Sequence, residues 1–406
     1  NGIEQADLFL LVTRIAASVR CGHTWTNTLN QAPAMQARLA ALPVMPVHVR
    51  LLQDRLLVTA STDASARTHD EIRSIDGRPI PALVAELLPY LRADGSSDGK
   101  RREQFNTGTQ GGALDRLMPI LHPPVDGVYR LVLRAPSGAE REVRVPAIGL
   151  AQRDAALAAA GVTAPDEAWR LEYRGDTAIL TMPTFAFWNG GFDWERYLQD
   201  AFEDFARRGT RKLVLDLRMN EGGDDAIGRA LLGYLIDREY VAPAGVRETR
   251  YERVPYILAR YLDTWDFDFF DRTGQVVRTE GRNWRFINPP AAPRTAPRQP
   301  HFGGKVIALI GPRMSSAGFL VARDLQRSGA ATLVGEPTGG NQRGLNGGQI
   351  TWLTLPNSGI PVDIPLIATI HADAPDAPIS PDVRVEARIS DVIAGRDAPL
   401  LYALRR

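Results

Sequence analysis

At 406 residues the chain is too long for one ordinary hydrophobic core, so two or three packed units are expected. Lys and Arg number 48 against 47 Asp and Glu, for a formal charge of +1, so no basic field is present to hold a polyanion and nucleic acid is excluded as a partner. No apolar run reaches the 18 or so residues of a membrane span, and the single Cys21 rules out an internal disulfide framework and a cysteine-based structural zinc site.

The first elements are helical. Leu8, Leu11, Val12, Ile15 and Val19 recur at helical spacing and predict a helix packed by that stripe on the body of the protein, ending near Cys21-Gly22. Residues 46 to 150 then read as short strands and turns: VHVRLL, RLLVTA, EIRSIDGRPI with an Asp76-Gly77 hairpin signal, and YRLVLRAPSGAEREVRV. Between these strands the stretch from Arg92 to Gly112, rich in Gly, Ser and charge, is expected to be a flexible loop.

From about residue 168 strands alternate with helices, the signature of a parallel sheet joined by crossovers. TAILTMPTF, KLVLDL (212 to 217), KVIALI (305 to 310) and ATLVG are the strands. FDWERYLQDAFEDFARRG, DAIGRALLGYLI and SAGFLVARDLQRSG are the helices between and after them. Residues 239 to 304 interrupt the alternation with aromatics and the run PPAAPRTAPRQP, which suits a surface connection or a lid over a cleft.

Reactive groups in such sheets collect at the carboxyl ends of the strands. Two turns stand there: RMNEGG with Gly222 and Gly223, and GPRMSS with Ser315 and Ser316. A serine at a helix start often only caps the helix, but two adjacent serines allow one to cap and one to react. Glycines let the backbone approach a ligand, so the amides of Gly222 and Ala317 could form an oxyanion hole; plain turn geometry also explains a Gly-Gly pair.

DLRMNEGG resembles the Asp-Leu-Arg-x-Asn-x-Gly-Gly segment of the tail-specific (C-terminal-processing) serine peptidases, and GPRMSSAGFLVARDLQRSGAATLVGEPTGG resembles their nucleophile helix and the Gly-Glu-Pro-Thr strand end after it. YRGDTAILTMPTF resembles the strand that opens their core. The resemblance covers about residues 168 to 384 and implies an α/β fold with a ClpP/crotonase-like core over residues 151–406, carrying the insertion at about 239–304. An N-terminal helical segment (1–45) and a small β-rich, PDZ-like domain (46–150) would precede it, the latter suggested by EIRSIDGRPI. It implies Ser316 as nucleophile of a peptidase acting on a polypeptide, with no cofactor and no metal.

Many members carry a lysine base just after Gly-Glu-Pro-Thr-x-Gly, where this chain has Asn341. Of the three lysines, Lys212 and Lys305 open strands at the far end of the sheet, and Lys100 is expected in a loop of a different domain, so a Ser-Lys dyad is not expected. A serine without a lysine calls for histidine. RCGHTWTN resembles the segment that supplies the base in the tricorn-core-like branch, which implies His23; His48, His69, His122, His301 and His371 have bland settings. In that branch an acid precedes a Pro-Asp pair near the C-terminus. ADAPDAPISPD offers Asp373 and Asp376, of which Asp376 is chosen for the third position, against the alternative that both are solvated loop acids.

Two other readings stand beside the peptidase: a non-catalytic peptide- or apolar-ligand-binding protein on the same fold, and a crotonase-type acyl-CoA enzyme. Neither requires an activated Ser316, so labelling by a serine-directed reagent separates them. Cys21 as a nucleophile beside His23 leaves little room for substrate. The sequence opens at Asn1 without a leader, and export after signal-peptide removal is the expectation for location.

Overall fold

The buried strands Thr177–Thr181, Lys212–Asp216, Lys305–Ile310 and Thr332–Gly335 carry apolar side chains on both faces, which a sheet can bury only when helices cover both sides. In the computed structural model, which describes residues 3–107, 112–162, 168–188, 190–281 and 283–406, they run parallel. The short strand Val383–Arg384 extends the sheet in parallel at one edge, and Arg170–Arg174 pairs antiparallel at the other, giving six strands in a mixed α/β fold.

Helices follow where the periodicity predicts them. Trp194–Arg208 starts on the Asp193 side chain, which accepts from the Arg196 amide, and stops at Gly209 with φ 65°. It buries Leu198, Ala201, Phe202 and Phe205 against the sheet, with Phe202 stacked 4.3 Å from Tyr234 of the helix Asp225–Leu235. The helix Ala317–Ser328 leaves the carboxyl end of Lys305–Ile310. Because Lys212 pairs with Lys305 in parallel register, the turns after these two strands emerge side by side.

Upstream, strands Val47–Leu52, Arg55–Ser61, Glu71–Ile75, Val128–Arg134 and Glu140–Pro146 form an antiparallel sheet around a separate apolar core. The Asp76-Gly77 turn closes its hairpin with φ of 47° and 76°, as a two-residue hairpin requires. Residues 239–304 do more than connect. Val246–Thr249, Val276–Arg278 and Trp284–Phe286 join Ala368–Ile370 and Gly344–Leu345 in a five-stranded sheet.

Two expectations fail here. The first helix, Gln5–Ser18, turns Phe9, Leu10, Ala16 and Ala17 inward, while Leu11, Ile15 and Val19 of the expected packing stripe are exposed. Val12, Ile15 and Val19 instead line a groove of about 780 Å³ together with Leu353, Val362 and Ile364. The polar stretch after Arg92 is not simply a loop, since it contains the helix Asp98–Glu103 with Lys100 buried.

Candidate active site

Ser316 is the residue before the first turn of Ala317–Ser328, and its backbone sits at φ 52° and ψ −131°. A non-glycine residue in that region is strained, and a sharp strand-to-helix turn of this kind raises the side chain away from the backbone. Its hydroxyl makes no capping bond to the helix, so the bland reading of a capping serine does not describe it.

Gly222 stands directly opposite. At φ 112° it occupies a conformation open to glycine, and a Cβ placed there would lie 2.6 Å from Ser316 Cβ and 2.9 Å from the Ala317 nitrogen. Glycine is therefore needed for close approach. The Gly222 amide itself donates to Asn220 Oδ1 at 2.9 Å, so it is not a free oxyanion donor in this conformation.

His23 and Asp94 come together from two different segments. Residues 20 and 95 are tied by reciprocal bonds: Gly95 N donates to Arg20 O at 2.8 Å and Arg20 Nε to Gly95 O at 2.9 Å. Gly22 N then donates to Asp94 Oδ1 at 2.6 Å, and Arg92 donates to Gly22 O. A Cβ on Gly22 would fall 2.8 Å from Asp94 Oδ2, so only glycine lets the Cys21-Gly22-His23 segment close over the carboxylate. His23 Nδ1 and Asp94 Oδ2 are both buried without a hydrogen-bond partner, and a ligating atom of each lies within 4.8 Å of the other.

Burial lowers the His23 pKa to about 4, with the Arg92 and Lys100 cations acting in the same direction. Burial pushes Asp94 up, opposed by the Gly22 amide and by Lys100 and Arg92. Burial also raises the Cys21 thiol, with Asp94 adding to the effect, which disfavours its thiolate form. Among the described residues no hydrogen bond joins His23 to Ser316.

Asp376 has other partners. It is exposed, accepts from Asn341 Nδ2 at 2.6 Å and from Ser96 N at 3.0 Å, and makes no hydrogen bond to His23 among the described residues. Asp373 is also exposed. Asn341, at the position of the missing lysine, is buried and joins Asp376 to the backbone of Asp94.

Lys100 contradicts the expectation that it lies away from the nucleophile turn. Its Nζ donates to Ser315 Oγ at 2.7 Å, to Glu221 Oε2 at 3.0 Å and to Arg313 O at 3.2 Å. Burial opposes ionisation of Glu221, but the Lys100, Arg313 and Arg92 charges outweigh it and hold the carboxyl far below its usual range. Lys212 and Lys305 are as expected, donating at the far end of the sheet to Leu404 O and Arg406 O.

Residues 176–385 match the sequence pattern of peptidase family S41, which is more than half of the chain. The chain belongs to this family. It is thus a serine peptidase, a hydrolase whose substrates are polypeptides. No curated protein sequence matches it. Among solved structures, mature CPAF complexed with lactacystin has a TM-score of 0.63 at 16% identity, over 99% of this chain and 87% of that one. Mature CPAF has 0.62 at 16%, over 98% and 86%. The photosystem II D1 C-terminal processing protease has 0.41 at 16%, over 94% and 83%. At these identities the CPAF likeness is one of fold. No helix among the described residues of this S41 peptidase is long and apolar enough to cross a membrane.

Proposed function

We propose that the chain is an endopeptidase that forms an acyl-enzyme on Ser316, with His23 taking the hydroxyl proton and returning it to the leaving amine. The observation that carries this reading is the strained Ser316 backbone at the head of a buried helix, pressed against Gly222. The Ala317 amide, at the helix start, is the oxyanion donor; Gly222 would join it on exchanging Asn220 Oδ1 for the oxyanion.

Asp94, rather than Asp376, is the acid that orients His23 in this reading. It is supported by Nδ1 and Oδ2 each being buried without a partner in side chains whose ligating atoms come within 4.8 Å, whereas Asp376 is committed to Asn341 and Ser96. Lys100 holds the turn through Ser315 and Glu221 rather than activating the nucleophile. The parallel layer within residues 151–406 corresponds to a ClpP/crotonase-like core and the sheet within 46–150 to a PDZ-like unit, with residues 1–45 delivering the base. Hydrolysis of an unstructured protein by the wild type and by Ser316→Ala tests the reading: the variant should fold and be inactive, and unchanged turnover would remove Ser316 from the mechanism.

A further inference from the structure

Beside His23 and Asp94 lies a group the reaction does not need. Cys21 is buried, 4% exposed, and one ligating atom each of Cys21, His23 and Asp94 lies within 4.8 Å of the other two. Asp94 is likewise 4% exposed, with Oδ2 unpartnered, and His23 Nδ1 is also buried and unpartnered. Two buried polar atoms left without partners are costly, and a cation placed between them would satisfy both.

We propose that Cys21, His23 and Asp94 form a binding site for a divalent transition metal of the zinc type, whose occupation switches the peptidase off. The donor set is one sulfur, one imidazole nitrogen and one carboxylate oxygen, which suits zinc and leaves its fourth tetrahedral position to water. Bond lengths of about 2.0–2.3 Å to these atoms require the three side chains to close by roughly an ångström. The Cys21-Gly22-His23 segment is already clamped to the carboxylate through Gly22 N and Asp94 Oδ1. On binding, the Cys21 thiol gives its proton to solvent as the metal–sulfur bond forms, so occupation weakens as pH falls. The metal takes the lone pair of Nδ1, which leaves the other ring nitrogen carrying the ring's hydrogen and unable to accept one from serine. This departs from the expectation of no metal, and its inhibitory half rests on His23 being the base.

Cobalt and zinc chlorides test the two halves separately. With cobalt, the wild type should show a near-ultraviolet thiolate-to-cobalt charge-transfer band saturating at one equivalent, and both Cys21→Ser and Cys21→Ala should lose it while keeping the wild-type circular dichroism. Zinc should inhibit hydrolysis by the wild type. In Cys21→Ser, with basal hydrolysis retained, the inhibiting concentration should rise more than roughly tenfold, the lower end of what even outer-shell groups contribute to metal affinity. Absence of the band in the wild type overturns the site. Equal zinc inhibition in Cys21→Ser overturns it as the route of inhibition. A band with hydrolysis untouched overturns the switch and argues against His23 as the base, while a band in a protein with no peptidase activity keeps the site and rejects the catalytic reading.

Discussion

Lys100 Nζ donates to Ser315 Oγ at 2.7 Å, placing the chain's one buried lysine next to the residue that precedes Ser316, the proposed nucleophile. The same ammonium binds Glu221 and the carbonyl of Arg313, so it ties together the turns that end two neighbouring strands. Lys100→Met should therefore lower both activity and stability. Glu221 is 40% exposed and keeps Arg313, so the stability cost should be about 1–3 kcal/mol, below that of breaking a fully buried pair. Urea denaturation alongside kcat measures both. A stable variant with full activity would show that the tie is dispensable.

Hydrolysis should keep its rate well below neutral pH. The sequence alone predicts an activity limb in the histidine range, at about 6 to 7. Burial with Arg92 and Lys100 lowers His23 to about 4. Only neutral imidazole accepts the serine proton, so kcat/KM should rise with pH through about 4 and lose this limb in His23→Ala. The same depressed pKa favours folding above the unfolded value of 6.5, and that contribution is lost as pH falls from 6.5 towards 4. Arg92→Met removes one cation and should move the limb upward; a limb that stays put would remove Arg92 from the balance.

The two candidate acids should separate cleanly. Asp94→Asn should lower kcat by about a hundredfold or more, approaching the roughly 10⁴-fold loss known for replacing the orienting carboxylate of a Ser-His-Asp triad. Asp376→Asn should leave most of the rate, as should Asn341→Ala, since neither group hydrogen-bonds His23 among the described residues. Steady-state kinetics of the three variants decide the assignment. A dead Asp376→Asn beside an active Asp94→Asn would restore the sequence-based choice.

The parallel layer was legible because apolar runs such as KVIALI and KLVLDL end in turns and alternate with amphipathic helices. Ser316 and His23, the proposed nucleophile and base, were suggested by motif resemblance. Asp94 was not, because the role proposed for it depends on its contact with the backbone of Gly22, 72 residues away. Lys100 was hidden by composition: a stretch rich in Gly, Ser and charge reads as solvated, and its helix is only six residues long. A usable signal was present, since a chain with three lysines has few reasons to place one there. The stripe on the first helix misled because periodicity reports an apolar face without saying what covers it. Here Val12, Ile15 and Val19 of that face line the groove.

Gly222→Ala should cost activity far more than its size suggests. The added methyl would meet Ser316 Cβ at 2.6 Å and Oγ at 3.1 Å, on a backbone at φ 112°. A displacement of the nucleophile by about an ångström is enough for roughly a hundredfold loss in kcat. Comparing turnover with the melting temperature separates this from unfolding, and a fully active variant would mean that the turn yields freely.

The most direct measurement is covalent labelling with a fluorophosphonate, followed by fragmentation of the tryptic peptide from Met314 to Arg323 to locate the adduct. Both serines lie in that peptide, so the fragment ions must separate them. A single adduct on Ser316, absent from Ser316→Ala and strongly reduced in His23→Ala, is the predicted result. An adduct on Ser315, beside Lys100, or a label that survives undiminished without His23, would contradict the assignment of nucleophile and base.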